Sequence, residues 1–455
     1  MAALVAAAIA LACVYIRPDR ALRVATGAVA HNVCSKAFVS GLDPATVFAE
    51  TMESDGLRRL RRVLSFQIDR TSGTVVASIG GLFASRALFH DGLGCGLRHG
   101  PQEPYLLRSD IAALKTPKAP PLLAEIAGPE LVQPQSPALR DALDHAFEEP
   151  AEPPFRRTKA VVVVRDGRVI AERYAPGIGV DTPLLGFSMT KSVVNALLGI
   201  MTEQGRLSPS IPAPVPAWND PSDSRREIEI EHLLRMTSGL ALDETNSGFD
   251  PSSQMLYLHD DMAGFAVNAP VIAPPGKRFA YSSASTQLLA RIIRDAAGGP
   301  EQTLAFAWRE LFNPLGMRSV TLEFDGAGTL QGTAYMLASA RDWARFGLLY
   351  LNDGVVGGKR LLHADWVDFS AAATLDTDYG AGFWTNRSEH PNAKGRVRLG
   401  IPRDAFFASG DLGQRIVIMP SQKLVVVRLG DSVDPTGDIR GLARLVKEVI
   451  AAVQP

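Results

Sequence analysis

Ser188 and Lys191 stand three residues apart at the polar start of a run, Val193 to Met201, that is apolar almost all round. A run of that kind reads as a helix buried between two layers. Residues three apart on a helix project from one face about one turn apart, so a hydroxyl and an amine are brought together there. The chemistry this offers is a nucleophile beside a base. A helix N-terminus adds exposed N–H groups that can stabilise an alkoxide or the oxyanion of an attacked carbonyl. The tetrapeptide is short enough to arise by chance in a chain of 455 residues, so its weight rests on the residues downstream of it.

Two later stretches supply the missing parts. In Pro274-Pro275-Gly276-Lys277-Arg278-Phe279-Ala280-Tyr281-Ser282-Ser283, a turn and a short extended piece lead into a helix over 284–297. Tyr281 on that loop can face a cleft, where an ammonium such as that of Lys191 is expected to stabilise the phenolate and lower its pKa. The plainer reading is a Tyr at a loop edge with Ser283 as helix cap. In Phe406-Phe407-Ala408-Ser409-Gly410-Asp411-Leu412-Gly413-Gln414, a strand ends in glycine, which lets a carbonyl substrate approach the backbone. An N–H at Gly410 or Asp411 is then a candidate second oxyanion donor, with Ser409 and Ser283 as candidate substrate contacts.

The framework around these residues reads in chain order. Residues 2–16 form an apolar run of signal-core size, shorter than the roughly 20 residues of a membrane span. Arg17, Arg20 and Arg23 come after it, whereas the positive-inside rule wants such charges before an exported segment. Residues 1–23 are therefore read as a hydrophobic anchor or signal segment, with a buried N-terminal helix as the alternative. Residues 24–135 are an accessory region with a proline-rich linker: a helix over 44–60, strands at 63–67 and 73–79, and a turn at Gly92-Leu93-Gly94-Cys95-Gly96. Cys34 and Cys95 either pair in an oxidising compartment or stay as two buried thiols.

A second unit runs over 136–455. Ser136-Pro137 opens an amphipathic helix to Phe147, and Asp166-Gly167 joins strands at 160–165 and 169–173. Residues 205–345 read as mostly helical. Strands return at 379–386, 405–409, 414–419 and 424–429, before a last helix over 438–453. Strands from both ends of the unit with helices between them imply an α/β (α+β) fold, an antiparallel sheet flanked by helices with an inserted all-helical domain. The Ser188 helix then lies at the junction, where pockets form.

Taken in order, Ser188-x-x-Lys191, Tyr281-x-Ser283 and the small-residue strand ending at Gly410 resemble the serine hydrolases of the class C beta-lactamase and penicillin-binding-protein superfamily. That group includes D-Ala-D-Ala peptidases, esterases and 6-aminohexanoate-dimer hydrolases. The stretches Glu231 to Leu240, Asn313 to Met317 and Ser339 to Gly347 resemble phrases of the same family. The likeness covers roughly residues 136–455. It implies an acyl-enzyme on Ser188, with Lys191 and Tyr281 passing the proton to the leaving group and Tyr281 activating water, and an oxyanion held by the Ser188 N–H and one near Asp411. Beta-lactamases carry Lys or His where this chain has Ala408, and Asn where it has Ser283. Asp411 adds negative charge. These departures favour uncharged or amine-bearing esters and amides over a beta-lactam or a D-Ala-D-Ala peptide, unless Arg415 or Arg398 restores a cation. A non-catalytic wall-binding or ligand-binding module on the same fold remains the other alternative.

Other classes find little support. The net charge of −1 leaves no footprint for nucleic acid. Neither C-x-x-C nor H-E-x-x-H occurs, so the expectation is no metal and no cofactor. A Ser-His-Asp esterase would carry G-x-S-x-G, which fails at Thr190, and His232 and His259 are read as structural. The expected partner is a small ester or amide, and the apolar run together with the resemblance suggests the cell envelope, at the periplasmic face of the inner membrane.

Overall fold

The computed structural model describes residues 17–100 and 110–454, so the apolar run 2–16, with Cys13, lies outside the described residues. Among the described residues no helix is long and apolar enough to cross a membrane.

Six antiparallel strands form the central sheet, in the order Trp384–Thr385, Phe406–Ser409, Arg415–Met419, Leu424–Gly430, Thr158–Arg165, Arg168–Tyr174. The middle strands are apolar on both faces because both faces are covered. Val161, Val163, Val417, Met419 and Val426 pack under the helices Pro137–Phe147 and Ile439–Val453. Val162, Val164, Ile416, Ile418 and Val425, pointing the other way, join the large core that contains the helices Thr190–Glu203 and Ala340–Leu351. Asp166 and Gly167 both take positive φ, 48° and 79°, as a tight turn between twisted strands needs. Ser136 and Asp438 cap the two outer helices.

Sequence pattern and structure differ at several ends. The strand expected over 379–386 is only Trp384–Thr385, with Tyr379 bridging back to Trp384. The helix expected over 44–60 stops at Thr51 and resumes as one turn at Asp55–Arg58. In the expected turn 92–96, the chain turns over 91–93 and is already a strand from Gly94. Gly94 has φ 75°, and a Cβ there would lie 2.6 Å from Glu323 Oε1, so glycine is required on both counts.

The accessory region is a four-stranded antiparallel meander, Leu64–Asp69, Thr74–Ile79, Leu82–His90 and Gly94–Arg98, crossed by the helix Pro18–Cys34. That helix spans the expected boundary at residue 23 and buries Val29, Ala30 and Val33 against Val75, Ala77 and Ala87. Cys34 is disulfide-bonded to Cys95. After a short helix, Ile111–Lys115, residues 116–135 run as an irregular strap, where Arg341 donates to the carbonyls of Gly128 and Glu130 and the Val132 N–H donates to Glu172. The accessory unit docks on the 136–455 unit through a buried polar cluster. Glu323 accepts from Ser35 Oγ at 2.8 Å and from the Cys95 N–H at 2.8 Å, and pairs with His31 Nε2 at 2.7 Å.

Candidate active site

Ser188 sits in a tight passage from strand to helix. Leu184–Leu185 pairs with Met336–Ala338, and the Gly186 N–H donates to the Met336 carbonyl at 2.9 Å. A Cβ on Gly186 would lie 2.4 Å from the Trp343 ring, so no larger residue fits. Phe187 then takes φ 46°, a left-handed conformation costly for an aromatic residue, of the kind that collects at functional sites. Ser188 therefore lies on a 3₁₀ turn, Phe187–Met189, rather than in the α-helix proper, which starts at Thr190. The N-terminal placement expected from the sequence is kept. Thr190 ties the turn down, donating to the Phe187 carbonyl at 2.7 Å and accepting from the Met336 N–H at 3.2 Å.

Lys191 reaches back over one turn. Its Nζ donates to Ser188 Oγ at 3.0 Å, to Ser283 Oγ at 3.1 Å and to the Thr333 carbonyl at 3.0 Å. The residue is 3% exposed. Burial pulls the ammonium down to about 8, against the opposing pull of Glu244 and Asp411. A lysine in this state surrenders its proton near neutrality, which an exposed lysine does not.

Tyr281 comes from the loop before the helix Ser283–Ala297, whose cap is Ser282, not Ser283. Its ring stacks on Trp384 at 5.7 Å and 28°, meets Tyr379 edge-on at 5.7 Å, and has Lys191 Nζ 5.0 Å from its centroid. The expectation of a lowered phenol pKa is overturned. Burial pushes it up first and the Glu244 carboxylate adds to that, while the hydrogen bond with Ser188 pulls the other way. The phenol is neutral, so the site pairs a basic amine with a phenol that can give a proton.

Glu244, which the sequence pattern did not single out, is central to this field. Its Oε2 accepts the Ser283 N–H at 2.6 Å, and the neighbouring Asp243 is held by Arg278 at 2.9 Å. Only its place four residues after the Thr237–Leu240 phrase hinted at it. The Thr333 carbonyl carried no sequence signal, because any residue supplies one.

The strand Phe406–Ser409 brings the third motif against the nucleophile turn. A Cβ on Gly410 would lie 2.1 Å from the Gly186 carbonyl, so glycine alone allows this approach. The Gly410 N–H is spent on the Gln414 carbonyl at 2.9 Å, which corrects its reading as an oxyanion donor and leaves the Asp411 N–H as the candidate. Ser409 is half-buried at the strand end, and the Asp411 side chain is open to solvent. Ala408 is buried in the core. Neither arginine replaces a motif cation. Arg415 is turned into the protein, donating to the carbonyls of Gly410 and Gln414 at 2.8 Å, and burial lowers it to about 10. Arg398 is exposed at the end of the helix Pro391–Arg398. His232 Nδ1 accepts the Glu229 N–H at 3.0 Å as a helix cap, and His259 packs on Phe265. No cluster of metal-binding side chains occurs among the described residues.

The arrangement thus sets a buried amine against a serine hydroxyl, beside a phenol that can give a proton. The beta-lactamase family model matches residues 144–451. The chain is similar to a 6-aminohexanoate-dimer hydrolase of Paenarthrobacter ureafaciens, 26% identical over 301 residues, 61% of this chain and 74% of that one. Among solved structures, a penicillin-binding protein homologue from Caulobacter crescentus superposes with a TM-score of 0.54 at 19% identity, covering 72% of this chain and 100% of the other. EstCE1, a hydrolase with promiscuous acyltransferase activity, gives 0.53 at 16% identity, over 69% and 97%. At these identities the structural likenesses speak for the fold alone.

Proposed function

The chain belongs to the beta-lactamase family and is a hydrolase of this serine-hydrolase class, and from that premise we propose that it cleaves an ester or amide through an acyl-enzyme on Ser188. The observation that carries the reading is the Lys191 Nζ, buried, pulled down to about 8 and 3.0 Å from Ser188 Oγ. Neutral Lys191 takes the hydroxyl proton as Ser188 attacks the carbonyl. The amides of Ser188 and Asp411 hold the oxyanion. Tyr281 relays a proton to the leaving group and is reprotonated from Lys191. Water then enters in place of the leaving group and the same pair works in reverse.

The substrate we propose carries an amine or no charge. Glu244 and Asp411 both act on Lys191, so the cleft holds carboxylates where a cation would be needed to bind an anionic substrate. Ala408 and the inward-turned Arg415 support the same choice over a beta-lactam or a D-Ala-D-Ala peptide. Cell-envelope anchoring through residues 2–16, at the periplasmic face of the inner membrane, completes the proposal; the Cys34–Cys95 bond fits an oxidising compartment.

Full-length protein mixed with p-nitrophenyl butyrate is expected to give a transient acyl adduct by intact mass, and Ser188→Ala none. If wild type neither acylates nor reacts with a fluorophosphonate at Ser188, the catalytic reading fails. Faster turnover of 6-aminohexanoyl than of hexanoyl anilides is expected, and a preference for an acyl chain ending in carboxylate would reverse the substrate assignment. Recovery of a C-terminally tagged protein wholly in the soluble cytoplasmic fraction would remove the anchoring.

A further inference from the structure

The accessory unit carries none of the motifs, yet it touches the catalytic part where the site is built. Directly after Cys34 its first helix continues as a π-helical turn, Ser35–Val39, lying against the strand Leu184–Leu185 that leads into the nucleophile turn. Lys36 on this turn is nearly buried, with 7% of its side chain exposed. Its Nζ pairs with Asp431, equally buried, and stands 5.6 Å from the centroid of the Phe187 ring. The turn cannot drift, since Cys34 is bonded to Cys95 and Ser35 donates to Glu323 at 2.8 Å.

Each partner of Lys36 belongs to one side of the oxyanion site. Phe187, held at φ 46°, sets the direction of the Ser188 N–H. Asp431 follows Gly430, whose N–H donates to Gln414 Oε1 at 3.0 Å while Gln414 Nε2 donates to the Gly430 carbonyl. The Gln414 carbonyl in turn takes the Gly410 N–H and so fixes the loop that carries Asp411. One ammonium from the accessory unit thus bears on both amide donors at once. A buried ion pair is weak evidence for stability, because desolvating both charges offsets much of their attraction. Its value here is geometric: oxyanion donors act at about 2.7–3.1 Å, and misplacement by about 1 Å can cost 100-fold in rate.

We infer that the accessory unit is a working part of the hydrolytic site and that Lys36 is a positioning residue for the Ser188 and Asp411 amides. Lys36 touches neither substrate nor reacting atoms. The inference rests on the reading of Ser188 as nucleophile.

Lys36→Met alone leaves Asp431 buried and unpaired and can simply unfold the chain. The decisive variant therefore combines Lys36→Met with Asp431→Asn, which leaves no orphaned charge. We expect this double variant to keep a native circular dichroism spectrum and the full final extent of fluorophosphonate labelling. With p-nitrophenyl butyrate, its acylation rate and kcat should fall by roughly 10- to 100-fold, with KM within about threefold of wild type. A kcat within about twofold of wild type, or a loss matched by an equal loss in the final extent of fluorophosphonate labelling, would overturn the inference, because the first shows no positioning and the second only unfolding. Ser188→Ala is run beside it. If that variant turns over like wild type, the nucleophile assignment fails, whatever the Lys36 variants do.

Discussion

The pH dependence of turnover tests the assignment of the base, and Glu244→Gln tests its cause. Lys191 must be neutral to accept the Ser188 proton, and burial brings it down to about 8. With that value, about a hundredth of the enzyme holds a neutral amine at pH 6, about a tenth at pH 7 and half at pH 8. The ratio kcat/KM should therefore rise roughly tenfold per pH unit at first and level off above 8, giving about 50-fold between pH 6 and 8. Tyr281 does not limit the profile, because burial and Glu244 hold its phenol protonated across this range. Glu244 is the stronger of the two carboxylates that favour the Lys191 ammonium, and Gln at 244 still offers an oxygen to the Ser283 N–H. Removing the charge moves the limb to lower pH. A drop of one unit would multiply the neutral fraction at pH 7 by about five. The assay is initial-rate hydrolysis of p-nitrophenyl butyrate below KM from pH 5.5 to 9.5, corrected for spontaneous hydrolysis. A flat wild-type profile would remove Lys191 as the base, and a Glu244→Gln limb displaced upward would remove Glu244 as the group that holds its proton.

The other expectations are structural. Gly410→Ala puts a methyl 2.1 Å from the Gly186 carbonyl and must widen the oxyanion cleft; kcat should fall by roughly 100- to 1000-fold while circular dichroism stays native. His31→Ala removes one of three hydrogen-bond partners of a fully buried carboxylate, Glu323, and thermal or urea unfolding should show a loss of about 1.5–3 kcal/mol. Replacing Cys34 and Cys95 by Ser opens a loop with a sequence separation of 61, and the stability lost in urea should be about 4 kcal/mol on chain entropy. An unchanged midpoint in that variant would mean that the bond does not restrict the unfolded chain as loop closure requires.

The chemistry of the site was legible where it depends on short spacing. Ser188 and Lys191 are one helical turn apart whatever the rest of the chain does, and the glycine after Ser409 announces a close approach. Features that depend on neighbours brought from afar were not. The direction of the Tyr281 pKa is governed by burial and by Glu244, and no local pattern announces either. Gly410 reads as a donor until its N–H is seen to close a bend onto Gln414. The sheet was readable because its apolar runs are bounded by polar turns. The ends went wrong at 379–386, where aromatic residues with strand character are used to box Tyr281 instead. The docking of the accessory unit joins His31 to Glu323 across 292 positions, a pairing that periodicity has no means to show.

The order of strands in the central sheet bears on how the proposed site is assembled. Thr158–Arg165 has Leu424–Gly430 as its inner neighbour, so the strand shortly before Ser188 pairs with one from far downstream. Contacts this distant in sequence form late. Phe406–Ser409, which carries the oxyanion loop, is linked to the sheet only through Arg415–Met419 and that same late strand. Without Leu424–Gly430 nothing joins Phe406–Ser409 and Arg415–Met419 to Thr158–Arg165 in the sheet, although Ser188 and Lys191 lie far upstream. Assembly of the proposed site therefore depends on that strand as well as on the local pairing of Ser188 with Lys191.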